Sequence, residues 1–296
     1  MKRKRTGFTM IEMLIVLGIL MLLVGLLIPA LTAVKNVAKE TKQKAQFSTI
    51  ELALAGFKND HGDYPPSDWA LPPNPGTNYC GSQKLAEALL GWDLLGFHPN
   101  SAWRADGLDT VGGVGTYDPT KSRDLDGDGI PDTMNERKEP YLELGTASAF
   151  KLGDLFRANP NWILTPDTYV LCDAFTKNKI MLAATGKTAR AGAPILYYRA
   201  NTSQKMIRGI YSVQDNEALV DMKGTADGEQ HPLNWTANLY QFFYGTAITT
   251  DGIVGYIQDP KIEARAWPYR PDSYLLISAG ADGLYGTPDD IRNFGN

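Results

Sequence analysis

Histidine and cysteine are scarce in this sequence, and their scarcity removes most enzyme templates at once. The three histidines, His61, His98 and His231, stand far apart, each read as a surface or loop residue, and no HExxH zinc motif occurs. The two cysteines, Cys80 and Cys172, fit no CxxC pattern; they are too few for a disulfide scaffold but enough for one bridge. Two buried thiols are the other reading, and a Cys80–Cys172 disulfide is the expectation for a head folded outside a reducing compartment. No GxSxG occurs. Gly186-Lys187-Thr188 ends like a phosphate loop, but Met181 stands where that loop needs glycine. Internal repeats are lacking as well.

Basic residues are also scarce once the first five positions are set aside. The formal net charge is −4, and Lys2, Arg3, Lys4 and Arg5 account for four of the 29 basic residues against 33 acidic ones. The remainder is an acidic body without the clustered Lys and Arg of sequence-independent nucleic-acid binding, so a nucleic-acid partner is excluded. An apolar content of 43% and a charged content of 21% fit an ordinary packed protein, and 296 residues allow one large domain or two small ones.

What the sequence does have is a long apolar run directly behind that basic cluster. From Met13 to Ile28 no charged or polar side chain interrupts it. The stretch from Met10 to Leu31 matches the ~20 residues a bilayer core requires. Basic flanks stay cytoplasmic, which puts the bulk of the chain on the other side of the membrane. A cleaved secretory signal would need small residues at a cut site; Ala30 to Ala33 reads ALTA and supplies no clean pair. One carboxylate, Glu12, stands at the mouth of the run, five positions after Gly7.

The stretch KRTGFTMIEMLIVLGIL resembles the class III signal of type IV prepilins and of the pseudopilins of type II secretion. The resemblance implies that a leader, residues 1–7, is cut after Gly7 by a prepilin peptidase. Phe8 then becomes the methylated N-terminus, and Glu12 takes the fifth mature position. Pro29 matches a proline that often interrupts the family's helix. The resemblance further implies that Glu12 pairs with the Phe8 amine of a neighbouring subunit, neutralising charge in an apolar filament core and setting axial register. Implied partners are other pilin-like subunits in a homo- or hetero-polymer, the peptidase/methyltransferase and an inner-membrane assembly platform. Implied localisation is a single pass of the inner membrane, head in the periplasm, then a filament. The expected function is a structural subunit, most closely a pseudopilin. A minor or adhesive pilin, or a membrane-tethered extracytoplasmic enzyme, is the alternative.

The pattern predicts an α+β fold: a long N-terminal helix packed on an antiparallel β-sheet head with large loop insertions. The helix should run from Thr9 to Lys58, about 75 Å at ~1.5 Å per residue, with residues 8–30 in the membrane or filament core and 31–58 amphipathic. Phe47, Ile50, Leu54 and Phe57 share one face. Pro29, with Gly25 before it, is the expected kink or melted point. Gly62, Pro65 and Pro66 end the helix. The head, 59–296, should hold a helix over 84–95, a Gly/Asp/Pro-rich insertion over 100–140, and strands over 168–175, 179–184, 194–200 and 273–280. Residues 234–244 read as helix or strand, with YQFFYG assigned to the core.

Two stretches suit calcium. DLDGDGIPD places carboxylates at Asp124, Asp126, Asp128 and Asp132, with Gly129 for the sharp turn and the Ile130 carbonyl as a further oxygen. Its twelfth position is Asn135 rather than Glu, so it departs from the EF-hand, and a solvated acidic turn is the plain alternative. The stretch LLISAGADGLYGTPDDIRN resembles the calcium loop of the major pseudopilin. That resemblance implies ligands from Asp282 and Asp289 or Asp290, with carbonyls from Leu284 or Thr287; an ordinary Gly-Asp turn is the alternative.

Overall fold

The computed structural model describes residues 9–69, 79–107, 116–117, 136–156, 163–176, 178–227, 233, 239–245 and 255–295. Helix α1 spans Met10–His61, 52 residues or ~78 Å at ~1.5 Å per residue. Thr9 caps its start in a reciprocal capping box with Glu12, and Gly62, at φ 84°, closes its end by donating its N–H to the Lys58 carbonyl. The helix is not melted at Pro29, where its backbone stays helical. Proline removes a single ladder hydrogen bond, and the turns on either side keep theirs.

The two halves of α1 meet different surroundings. From Met10 to Ile28 it is exposed throughout, long and apolar enough to cross a membrane. From Gln43 onward the expected seam is buried: Phe47, Ile50, Leu54 and Phe57 pack with Ala53 into the head. Polar side chains extend the same junction. The Gln43 Oε1 accepts from the Ala174 N–H at 2.7 Å, Gln46 donates to the Cys172 carbonyl at 2.9 Å, and Lys39 reaches the Phe175 carbonyl at 3.3 Å.

The head has small antiparallel sheets rather than one broad one. Strands β1 (Ala149–Lys151) and β2 (Tyr169–Leu171) pair, as do β3 (Asn178–Met181) and β4 (Thr188–Ala191). The third sheet has the order β5 (Leu196–Arg199), β6 (Tyr274–Ser278), β7 (Ile291–Arg292). This last sheet divides the core by strand alternation. Tyr197, Tyr274 and Leu276 face the α1 seam and helix α2 (Gly81–Leu90), while Leu196, Tyr198, Leu275 and Ile277 face the other cluster. Short helices α3 (Leu144–Ala147), α4 (Leu152–Leu155) and α5 (Ile207–Ile210) join these sheets, and α6 (Gln214–Asp227) and α7 (Leu239–Tyr244) follow. Phe243 and Tyr244 are core residues, as expected of the aromatic stretch.

Three expectations need correction. Helix α2 covers 81–90 rather than 84–95 because Gly91 turns at φ 88° against the Gly96 backbone, where no side chain fits. Gly81 lets its first turn rest on β5, since a Cβ there would come within 2.4 Å of the Tyr197 carbonyl. His98 lies in a loop, one of the two readings, but is fully buried rather than at the surface, and its Nδ1 accepts from the Asn100 N–H at 3.1 Å. Cys80 and Cys172 form no disulfide: both thiols are buried in one apolar cluster, where burial pushes the Cys80 thiol up to about 12.

Candidate functional site

The first candidate site is the mouth of α1. Gly7 and Phe8 lie outside the described residues, which begin at Thr9. The Glu12 carboxylate accepts from the Thr9 N–H at 2.8 Å and from the Thr9 hydroxyl at 2.6 Å, and Glu12 N–H returns a bond to that hydroxyl at 3.3 Å. In the single chain, therefore, Glu12 secures the first turn of its own helix, a role the sequence reading did not assign to it. The S/T-x-x-E spacing, Thr9 to Glu12, carried that signal.

The second candidate is the loop between β6 and β7. It starts at Gly280, whose φ of 64° and close approach to the Asp289 carbonyl leave no room for a Cβ (2.3 Å). Asp282 donates its N–H to Asp289 Oδ2 at 2.9 Å, and Asp282 Oδ1 accepts from the Leu284 N–H at 2.8 Å. The Thr287 hydroxyl lies 2.6 Å from Asp289 Oδ1 and 3.2 Å from the Leu284 carbonyl. Burial, with the neighbouring Asp289, raises the Asp282 carboxyl above its usual range. Burial opposes ionisation of Asp289 too, but the bonds from Thr287 and the Asp282 N–H outweigh it and hold that carboxyl low. The loop thus brings two carboxylates together beside a hydroxyl and a carbonyl oxygen.

Asp290 does a different job. It turns inward, accepting from the Gly286 N–H at 2.7 Å and from the Tyr256 hydroxyl, and burial pushes it up to about 7. Its Oδ1 is buried without a hydrogen-bond partner. Of the adjacent pair, Asp289 is the one that meets Asp282. Across from the loop, Asn36, Glu40 and Lys44 of α1 face Phe175 and residues 288–292 over a cleft of about 420 Å³.

The donor chemistry of Asp282, Asp289, Thr287 and Leu284 is all oxygen, as a hard divalent cation requires. Among the described residues no group of three or more His, Cys, Asp or Glu side chains is arranged to hold a metal, so main-chain oxygens must complete any such site. The other expected loop, with Asp124, Asp126, Asp128, Ile130 and Asp132, lies outside the described residues.

A third constellation was missed in the sequence. All of α2 is buried although it carries Lys84 and Glu87. Lys84 donates to the Asp68 carbonyl at 2.6 Å; Glu87 accepts from Tyr117 at 2.8 Å and from the Ser101 hydroxyl. These bonds fasten the segments flanking α2 and explain the charges structurally. The signal was there: a lysine and a glutamate three apart, set among the apolar residues Leu85, Ala86, Ala88, Leu89 and Leu90.

Comparison with known proteins bears on the first site. The family described as the prokaryotic N-terminal methylation motif matches residues 2–28. The chain is similar to the type II secretion system core protein G of Aeromonas hydrophila (34% identity over 70 residues, 24% of this chain and 49% of that protein). The same protein of Vibrio cholerae serotype O1 is 36% identical over 69 residues, covering 23% of this chain and 47% of its own length. That of Pseudomonas aeruginosa is 34% identical over 70 residues, 24% of this chain and 49% of its own. The chain thus spans about half the length of the curated relatives it matches, through its own N-terminal quarter. No solved structure gives a significant match.

Proposed function

We propose that this chain, which belongs to the type IV pilin and pseudopilin family through its N-terminal quarter, is a structural subunit of a pilus-like filament, most closely a pseudopilin of type II secretion. One observation carries the reading. The methylation motif opens a helix whose first half is wholly exposed and apolar, while its second half is fastened into a head. A lone chain gains nothing from such a helix except a membrane anchor; a stack of them buries it. In this reading the leader is removed after Gly7, Phe8 is methylated, and subunits are drawn from the membrane into a polymer with other pilin-like chains. The basic leader faces the cytoplasm and the head the periplasm. Work of this kind is mechanical and needs no catalytic residue in the chain.

Calcium belongs to the same proposal. Asp282 and Asp289 with the Leu284 carbonyl would hold it, and Thr287 lies beside them. A divalent cation supplies charge that lets both carboxylates ionise side by side. The loop then holds β7 to β6.

Mass spectrometry of the membrane-derived protein tests the processing step. The expected mature chain begins at methylated Phe8 and lacks residues 1–7. An intact leader, or a cut near Ala33, refutes the filament reading.

A further inference from the structure

Charge is unevenly spread over the head. From Ala174 to Gln214 there is not one acidic residue, while Lys177, Lys179, Lys187, Arg190, Arg199, Lys205 and Arg208 fall inside it. With the N-terminal four also set aside, 18 basic residues remain against 33 acidic ones. A cationic stretch of sequence, in which Arg199 is paired with Asp63 at 2.7 Å, therefore stands in a strongly anionic chain.

The β3–β4 hairpin lies at the centre of that stretch. Its register sets Lys179 directly opposite Arg190 and Met181 opposite Thr188. Alternation puts these four side chains on one face, and all four are exposed, Met181 by 44%. The other face is turned in, with Ile180 and Ala191 buried. Like charges placed directly across a strand pair destabilise it, and neither Lys179 nor Arg190 forms an ion pair among the described residues. The arrangement is costly in the lone chain and favourable against an anionic surface.

The hairpin is also held rigid. At its base Asp173 Oδ1 accepts from the Ala193 N–H at 3.2 Å, and Gly192 lies so close that a Cβ would sit 2.0 Å from that carboxylate. Near its tip Asp154 Oδ1 accepts from the Ala183 N–H at 2.8 Å. Its place on the head argues against a lipid target. The segment from Leu171 to Phe175, which leads out of β2, runs along α1 toward the membrane span, since Gln46 holds Cys172 and Lys39 holds Phe175. The hairpin folds back from there toward α4, along the flank of the head and away from the membrane.

We infer that the exposed face of this hairpin, Lys179, Met181 and Arg190, is a contact between heads, docking on the acidic surface of a second copy of this chain. The inference rests on the filament reading above and deepens it by naming the flank that neighbours share. Complementarity identifies the occupant: the body of a second copy is the anionic surface that a filament brings alongside at every step. Ion pairs across such a contact fix orientation and weaken as salt screens them.

The test uses the full-length chain. Lys179→Glu with Arg190→Glu should leave leader cleavage and membrane level unchanged and lower the yield of sheared filaments several-fold; Lys179→Gln with Arg190→Gln should fall between. Raising ionic strength should reduce wild-type yield and change the reversed variant little. A photo-crosslinker at Met181 in assembled material should yield adducts of twice the subunit mass. Wild-type yield from the reversed variant, or adducts to lipid or another protein alone, overturns the inference and leaves the filament reading standing. An uncut leader or the absence of wild-type filaments sinks the filament reading, and the inference with it.

Discussion

In the single chain the Glu12 carboxylate is held by the Thr9 N–H and hydroxyl; under the filament proposal, pairing with a neighbour's amine would require it to share or exchange these bonds. The capping box keeps an ionisable group satisfied at the edge of an apolar segment in the single chain. Glu12→Ala should leave leader cleavage and membrane insertion intact and abolish filament formation, because the incoming amine is then buried unpaired. Glu12→Gln should be milder, since its amide oxygen still accepts from Thr9. Co-expression with wild-type chain followed by shearing measures this; mutant chains recovered in filaments at the wild-type ratio would contradict the role given to Glu12. Single residues also show where sequence stops being legible. Asp289 and Asp290 are indistinguishable neighbours in a string, yet one meets Asp282 and the other turns inward to Tyr256. His98 lies in a loop, between Phe97 and Pro99, but is fully buried.

Helix α1 was the most legible element, because a long apolar run, a periodic seam and a glycine-proline stop each leave a separate mark. Its seam predicts a clear energetic result. Leu54 is fully buried, and Leu54→Ala should cost about 2–5 kcal/mol through lost burial and the cavity left behind. Denaturant melts of the detergent-solubilised chain would show this, and a loss no larger than that of an exposed-site control such as Leu52→Ala would deny that α1 is locked into the head. The strands were read as longer runs than they are. They are two to five residues long, too brief for alternation to mark their ends, and β7 left no apolar pattern at all. The short helices α3, α4 and α5 have four residues each and are set by tertiary contacts, not by periodicity. At the β6–β7 loop, millimolar calcium should raise the melting temperature, because a ligand bound only by the folded state adds RT ln(1 + [L]/Kd). Asp282→Asn and Asp289→Asn should each remove the shift, whereas a shift that survives both places the ion elsewhere.

For the whole molecule, Asp215 makes a pH signature. It lies at the start of α6, where Ser67 donates to it at 2.5 Å and the Trp69 N–H at 3.3 Å, with Asp68 and Lys84 facing it. Burial pushes its carboxyl from 3.8 up to about 7, against the pull of those hydrogen bonds. A group raised on folding binds its proton more tightly in the folded state. Its contribution is full below its ordinary value and lost as pH rises through about 7. Acidifying from neutral toward pH ~5 should therefore raise the melting temperature, opposite to ordinary acid denaturation, and Asp215→Asn should flatten that slope. An unchanged slope in the variant would assign the effect to other groups.

The sheet that covers the α1 seam has a consequence for the timing of synthesis. Phe47, Ile50, Leu54 and Phe57 are made within the first sixty residues, yet they share a cluster with Tyr274, Leu276 and Ile291, more than two hundred residues later. The anchor is therefore complete and membrane-ready while its apolar seam is still bare. Pairing across such a separation is slow, because loop closure precedes any gain from contact. During that interval the growing chain is an apolar anchor helix whose head-facing flank is still uncovered, and it stays so until β6 and β7 arrive.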